Sequence, residues 1–235
     1  MGEKPLGLKC LKYLFDIKKS NIVGICTRKK TNVWWGKQLV RDFAEDNNIP
    51  IIERKEIKNY NVDIIISVLY PFIIEQEIIS LAKQCAVNLH QAPLPEYKGC
   101  NSVSHAIING EKKFGCTLHL IDKELDSGEI IDKRFLKLKK NYNAKDLYKK
   151  VDKLCFLTFK ENIEDIISNN YKSFPQDTNL ESKTYERDSL ADKEADLNWD
   201  DEKLWNFVRG MEFYPFEPAY IKLNNNRKIY LTIKK

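Results

Sequence analysis

Val62-Asp63-Ile64-Ile65-Ile66-Ser67-Val68 is a near-continuous β-branched run. Such a run suits a strand covered on both faces, as strands of parallel sheets are. Working outward, strand and helix patterns alternate. Upstream, Ile22-Val23-Gly24-Ile25-Cys26 reads as a strand and Pro50-Ile51-Ile52 as a short one. Between them, Trp34 to Asn47 reads as a helix with Leu39, Val40, Phe43 and Ala44 on one face. Downstream, Glu75 to Lys83 reads as a short helix, Cys85 to His90 as a strand, and Asn101 to Asn109 as a helix ending at Asn109-Gly110. Phe114 to Ile121 and Glu129 to Leu138 are two strands joined by a polar loop. The alternation predicts an α/β fold around a mainly parallel sheet.

The start breaks the pattern. Gly2-Glu3-Lys4-Pro5-Leu6-Gly7 reads as the loop after a first strand, with Leu8 to Phe15 as the following helix, and the strand itself is missing. A missing central strand leaves backbone donors and acceptors unpaired, so a start cut short is expected. Toward the other end, Asn143 to Asn169 reads as a long helix and Tyr171 to Asn198 as a polar connector. Trp199 to Met211 reads as a helix capped by Asp200, and Ala219 to Leu223 with Lys228 to Ile233 as a hairpin around Asn224 to Arg227.

With 235 residues, 43% apolar and 31% charged, the composition is that of a globular protein of one large domain or a domain with an appendage. No run of about 18 apolar residues offers a membrane span. The start lacks a basic flank before an apolar stretch, so no signal peptide is expected. Six cysteines occur without a Cys-x-x-Cys pair. Reduced thiols in a cytosolic protein are expected and a zinc site is not. The net charge of +5 is spread along the chain, which disfavours a dedicated nucleic-acid arm. It suits a phosphorylated small molecule, and equally a lysine-rich surface with no partner.

Asn88 and His90 stand two apart at the end of the Cys85–His90 run, just before Pro93 and Pro95. Residues i and i+2 of a strand share a face, so the amide and the imidazole can aim at one point. In open parallel sheets ligands gather at such strand ends. Asp126, in Leu125-Asp126-Ser127-Gly128-Glu129, can reach the same place from the next loop. An amide N–H can stabilise an oxyanion, an imidazole can relay a proton, and a carboxylate can orient the imidazole. No Ser or Cys is clearly paired with His90, which favours direct attack by an amine over an acyl-enzyme. The same residues can also be ordinary loop hydrogen-bonders, and Asp126 before Ser127-Gly128 can be a turn.

The ordered blocks Asn88-Leu89-His90, Leu94-Pro95-Glu96-Tyr97-Lys98-Gly99, Ala106-Ile107-Ile108-Asn109-Gly110, Gly115-Cys116-Thr117-Leu118 and Leu125-Asp126-Ser127-Gly128-Glu129-Ile130-Ile131 resemble the folate-dependent formyltransferases. The resemblance runs from about Leu6 to Leu138. It implies a Rossmann-like formyltransferase fold over residues 1–175, and a connector with a small C-terminal helix and β-hairpin over 176–235. It implies Asn88, His90 and Asp126 as the catalytic trio and 10-formyltetrahydrofolate as co-substrate, with no metal. Val68, Leu69, Tyr70 and Pro71, with Asp122 and Leu125, match segments that hold the pterin, largely through backbone.

The stretch from Trp199-Asp200 through Phe207-Val208-Arg209-Gly210 to Tyr220 resembles the tail of sugar N-formyltransferases acting on dTDP-linked amino sugars. Methionyl-tRNA formyltransferases carry a longer C-terminal barrel. Tyr214, Phe216 and Tyr220 then become candidates to stack on a thymine, Arg209 and Lys98 to meet a pyrophosphate, and Asn101 to meet sugar hydroxyls or phosphate. Packing of the aromatics against the main domain is the alternative. Ser102 and His105 stand where many relatives carry Pro and Trp, which bears on amino-sugar identity. A cytoplasmic homodimer making a formamido sugar for surface polysaccharide is the expectation, with dTDP-4-amino-4,6-dideoxyglucose first and the 3-amino isomer next. Another amine such as glycinamide ribonucleotide, or folate and nucleotide binding without turnover, are the rivals.

Overall fold

Four strands make the central sheet: β1 (Ile64–Val68), β2 (Cys85–His90), β4 (Lys113–Leu120) and β5 (Ile130–Lys137), in that spatial order. A computed structural model describes residues 1–17, 21–28, 33–36 and 39–234. The other elements are α1 (Lys4–Asp16), α2 (Leu39–Asp46), α3 (Gln76–Ile79), the short β3 (Lys98–Gly99), α4 (Ser102–Ile108), α5 (Ala144–Ile167), the short β6 (Thr184–Tyr185), α6 (Asp201–Met211), β7 (Tyr220–Lys222) and β8 (Lys228–Tyr230). β1 and β2 are parallel, with Ile64 opposite Cys85 and Val68 opposite Leu89. β4 runs antiparallel to both β2 and β5, so it alone is reversed and the sheet is mainly parallel.

The sheet continues past β1 as single bridges. Gly2 pairs parallel with Val68, and Ile25 pairs parallel with Ile51. The expected strands over 22–26 and 50–52 are reduced to that one bridge. The Gly2–Gly7 loop is corrected. Met1 and Gly2 lie in the place of the missing strand: Gly2 N–H donates to Cys26 O (3.0 Å), and Val68 N–H donates to Met1 O (3.0 Å). The backbone groups thought to be stranded are paired. α1 then starts at Lys4, with Pro5 in its first turn, where a missing N–H costs nothing. The helix read over 34–47 is α2, which starts at Leu39; Trp34 and Trp35 form a turn, and residues 37–38 lie outside the described residues. The helix read over 75–83 shrinks to α3.

Strand alternation sorts the core. Val87 and Leu89 point to one face, where Leu6 and Cys10 of α1 and Leu147, Val151 and Phe159 of α5 bury them. Ala86 points to the other, with Ile65, Cys26 and Ile57. By the same parity Asn88 and His90 emerge on the Ala86 face, at the sheet's carboxyl end. The connector is not slack. β6 pairs with β3, and Phe174 bridges Ile130. Arg187 donates to Pro71 O (2.9 Å) while its own carbonyl accepts from Asn101 Nδ2 (2.9 Å).

α6, capped by Asp200, packs on α4. Its inner face carries Arg209, which is buried. The guanidinium donates to Asn206 Oδ1 through Nε (2.9 Å) and Nη2 (2.7 Å), and to Tyr142 O through Nη1 (3.0 Å). Arg209→Ala unpairs a buried acceptor on Asn206 and a half-buried one on Tyr142, so a loss of about 2 kcal/mol is expected in urea unfolding.

Candidate active site

β2 delivers Asn88 and His90 to the sheet end, and β4 brings a third polar side chain against them. His119 lies directly opposite Asn88 in the β2–β4 register and is 2% exposed. Its Nδ1–H donates to Leu120 O (2.7 Å), because a carbonyl only accepts. Nε2 is then the lone-pair nitrogen in the neutral ring, and Asn88 Nδ2 donates to it at 3.1 Å. Asp126 Oδ1 lies 3.5 Å from the same Nδ2. Two acceptors therefore face the amide's NH2 end, and a flipped carbonyl would meet only lone pairs.

His90 is held just as firmly. Its Nε2–H donates to Tyr97 O (2.7 Å), which leaves Nδ1 facing Asp126 Oδ2 at 3.7 Å. Asp126 sits in the left-handed region at φ 50° and is buried. Gly99 N–H donates to its Oδ2 (2.9 Å), and His119 Nε2 lies 3.6 Å from its Oδ1. Burial works to raise the carboxyl's pKa. Positive charge on the His90 and His119 rings, with the Gly99 N–H, outweighs it and holds Asp126 well below the usual carboxylate range.

Two glycines make this possible. Gly99 has φ 82°, and a Cβ there would stand 2.4 Å from Tyr185 O. A Cβ at Gly128 would stand 2.0 Å from Leu120 O, so only glycine lets the 126–128 loop close on β4. Gln176 Nε2 ties that loop down through Asp126 O and Gly128 O (2.9 Å each).

The structure thus brings Asn88, His90 and Asp126 together and adds His119, which sequence reasoning missed. A histidine between Leu118 and Leu120 was the available signal; its meaning needed the register. Sequence reasoning also missed a charged cluster at the start of α1. Arg28 pairs with the buried Glu3 (3.1 Å), and Lys4 and Arg187 add positive charge around it. Burial raises the Glu3 carboxyl despite those cations, and burial lowers the Lys4 amine despite Glu3.

The predicted pterin segments flank the trio's strand ends. Val68 is core, Leu69 turns at φ 50°, and Tyr70 is half-buried, with burial first among the causes that push its hydroxyl up to about 12. Pro71 accepts from Arg187, Asp122 Oδ1 accepts from Lys123 N–H (2.7 Å), and Leu125 is exposed.

The predicted acceptor residues divide. Arg209 is buried in the packing of α6 and is not open to a pyrophosphate. Tyr220 is buried on Tyr230 with Lys228 over its ring, so it has no free face of the kind expected. Asn101 holds Arg187 O, and Lys98 lies in β3 beside Gly99. Tyr214 and Phe216 are exposed.

His119→Ala releases Asn88 and is expected to lower turnover about 10-fold while unfolding stays cooperative, read by steady-state rates and circular dichroism. Asp126 also sets a pH dependence. Its folded pKa is depressed, so its contribution to stability is present above the unfolded value of about 3.9 and fades as pH falls through the folded value. The stability gap between wild type and Asp126→Asn should close on acidification below about pH 4, measured by denaturant titration.

A family model described as formyl transferase matches residues 28–159. The methionyl-tRNA formyltransferase of Clostridioides difficile is 30% identical over 241 residues, 96% of this chain and 76% of that protein. The GDP-perosamine N-formyltransferase of Brucella melitensis is 32% identical over 173 residues, 73% of this chain and 64% of that protein. The crystal structure of an N-formyltransferase from Helicobacter canadensis, in complex with folinic acid and dTDP-3-aminofucose, superposes with a TM-score of 0.82 at 25% identity, covering 95% of this chain and 82% of the other. With more than half its length matched and an amide, an imidazole and a carboxylate converging at the sheet end, the chain belongs to the formyl transferase family.

Proposed function

We propose that the protein transfers a formyl group from 10-formyltetrahydrofolate to the amine of a nucleotide-linked amino-dideoxy sugar. The observation that carries the chemistry is the convergence of Asn88, His90 and Asp126 around one point. The likeness to the Helicobacter enzyme supports the sugar, because it extends over 95% of the chain. A folate fits the residues present. Left-handed turns at Leu69 and Asp126 offer backbone at the strand ends, and Leu125, Phe72 and Ile73 expose apolar surface suited to a flat ring. Val68, Leu69, Tyr70, Pro71, Asp122 and Leu125 would hold it, and it supplies the formyl carbon.

The chain's residues act around that carbon. Asn88 keeps one Nδ2–H on His119 Nε2 and turns the other, held only by the long 3.5 Å contact to Asp126 Oδ1, to the charge that develops on the formyl oxygen, a role worth about 3–4 kcal/mol of barrier. His90, anchored on Tyr97 O through Nε2, offers Nδ1 to the reacting amine's side. Asp126 stays ionised beside it and directs the proton from the attacking amine toward the departing nitrogen. Holding the amine against the formyl group supplies much of the remaining acceleration.

In this reading residues 1–175 carry the chemistry and 176–235 shape the acceptor side. The product is a formamido sugar nucleotide made in the cytoplasm for a surface polysaccharide such as O-antigen, by a homodimer that covers the exposed Ile229 and Tyr230 of the hairpin. Both dTDP-4-amino-4,6-dideoxyglucose and its 3-amino isomer are candidate acceptors.

A panel of dTDP- and GDP-linked amino sugars, glycinamide ribonucleotide and methionyl-tRNA, incubated with 10-formyltetrahydrofolate and read by mass, tests the reading. A formylated amino sugar is expected; formylation of the tRNA or the ribonucleotide alone would refute it. His90→Ala should lower turnover at least about 100-fold with little change in acceptor KM. Near-normal turnover would remove His90 from the chemistry.

A further inference from the structure

His90 takes its direction from a backbone carbonyl. Its Nε2–H donates to Tyr97 O at 2.7 Å, while Asp126 Oδ2 stands 3.7 Å from Nδ1. The first is a full hydrogen bond in a buried place; the second is too long to be one. Where Nδ1 points therefore depends on where Tyr97 O lies.

Tyr97 is held on several sides. Its ring is buried, meets Phe114 edge-on (5.3 Å between centroids, 85°) and lies nearly parallel to Tyr185 (5.5 Å, 12°). Its hydroxyl donates to Glu111 Oε1 (2.7 Å) and accepts from Asn109 Nδ2 (3.1 Å). Phe114, Glu111 and Asn109 follow it closely in the chain. Tyr185 is different: it comes from β6 in the connector, beyond the residues 28–159 that the formyl transferase model matches.

Tyr185 also supports the carboxylate. In the β3–β6 pairing, Lys98 N–H donates to Lys183 O (2.9 Å) and Cys100 N–H donates to Tyr185 O (2.8 Å). Backbone N–H groups alternate sides along a strand, so the Gly99 N–H between them faces away from β6. That is the group that donates to Asp126 Oδ2 (2.9 Å). The stretch from Tyr97 to Gly99 thus carries the acceptor of His90 and the donor of Asp126. Tyr185 backs the first with its ring and the second with its backbone.

The brace is itself fixed. Tyr185 is buried, and His105 also stacks on it (4.0 Å, 24°). Asn109 Nδ2 donates to its hydroxyl at 2.9 Å as well as to that of Tyr97, so one amide ties the two rings together. A flat ring on a flat ring sets the tilt of Tyr97 as well as filling space, which an aliphatic side chain of similar bulk does not do.

We propose that Tyr185 is a positioning residue for the reaction: through Tyr97 it fixes the direction in which His90 presents Nδ1. It touches no reacting atom. This rests on the role given to His90 above.

Tyr185→Leu removes the stack and leaves the backbone pairing, Tyr185→Phe keeps the stack, and Asn109→Ala, at an exposed position, releases both hydroxyls. Nuclear magnetic resonance of the full chain carrying isotope-labelled histidine reports the ring N–H groups, and the signal lost in His90→Ala identifies His90. In wild type the His90 Nε2–H should exchange slowly with water. In Tyr185→Leu its exchange should quicken at least about 10-fold. With the amine that the panel above shows to be formylated, kcat should fall about 10-fold while both KM values stay within about twofold. Tyr185→Phe should return both readouts to near wild type, and Asn109→Ala should move them the same way, with kcat about threefold lower. Circular dichroism checks folding; if the leucine variant does not fold, Asn109→Ala carries the same test. A stacking residue that served stability alone would leave kcat and the His90 signal unmoved in any folded variant. The proposal is overturned by that result, or by a kcat that stays at the wild-type value in Tyr185→Leu while His90→Ala is impaired. Near-normal turnover of His90→Ala, with the His90 N–H loosened in Tyr185→Leu, keeps the coupling of the two residues and rejects the chemical role of His90 instead.

Discussion

A carboxylate buried beside two imidazoles needs a donor or positive charge to remain charged, and around Asp126 most of the candidate site is arranged to provide them. Desolvation alone would neutralise it. The chain answers with one backbone N–H donor at Gly99 and with two rings on adjacent strands whose positive charge can pair with it. Each answer constrains something larger. Gly99 is available only because β3 pairs with β6, and that pairing leaves no room for a side chain at position 99. His119 is available only because β4 runs against β2 in the register that sets it opposite Asn88. The reversed strand is therefore a requirement of the site.

The connector takes part in the same arrangement. Residues 171–198 are polar and look dispensable, yet they bind the site's loops from outside. Gln176 holds the Asp126 loop, Tyr185 backs Gly99, and Arg187 spans from Asn101 to Pro71. Tyr185 also stacks on Tyr97, whose carbonyl anchors His90. A stack of His105, Tyr185 and Tyr97 thus runs from α4 to the His90 imidazole. Burial and the nearby Lys183 push His105 down to about 4, so this ring stays neutral at physiological pH and serves as a packing surface.

Positive charge is spread through the sequence, and the fold gathers part of it into groups. Lys4, Arg28 and Arg187 gather at the start of α1 around Glu3, and a second group lines a cavity between α1 and α5. An overall charge of +5 conceals this, because lysines far apart in sequence meet only after α1 and α5 pack on the same face of the sheet.

The local elements were legible where local physics decides them. The run Cys85–His90, the capped helix from Asn143 and the hairpin after Ala219 follow from period, caps and turn residues within a short window. The blocks that resemble formyltransferases named Asn88, His90 and Asp126 in the same way. What failed depended on partners. Gly2–Gly7 looked like a loop because Met1 and Gly2 become strand-like only between Cys26 and Val68. Arg209 looked like a phosphate ligand because nothing near it in sequence shows Tyr142 O waiting for it. What His119 meets had no local signature, since a cross-strand register is made by residues tens of positions apart. Composition and periodicity carry what one segment does alone; burial, register and the meeting of distant charges exist only once the chain has closed on itself.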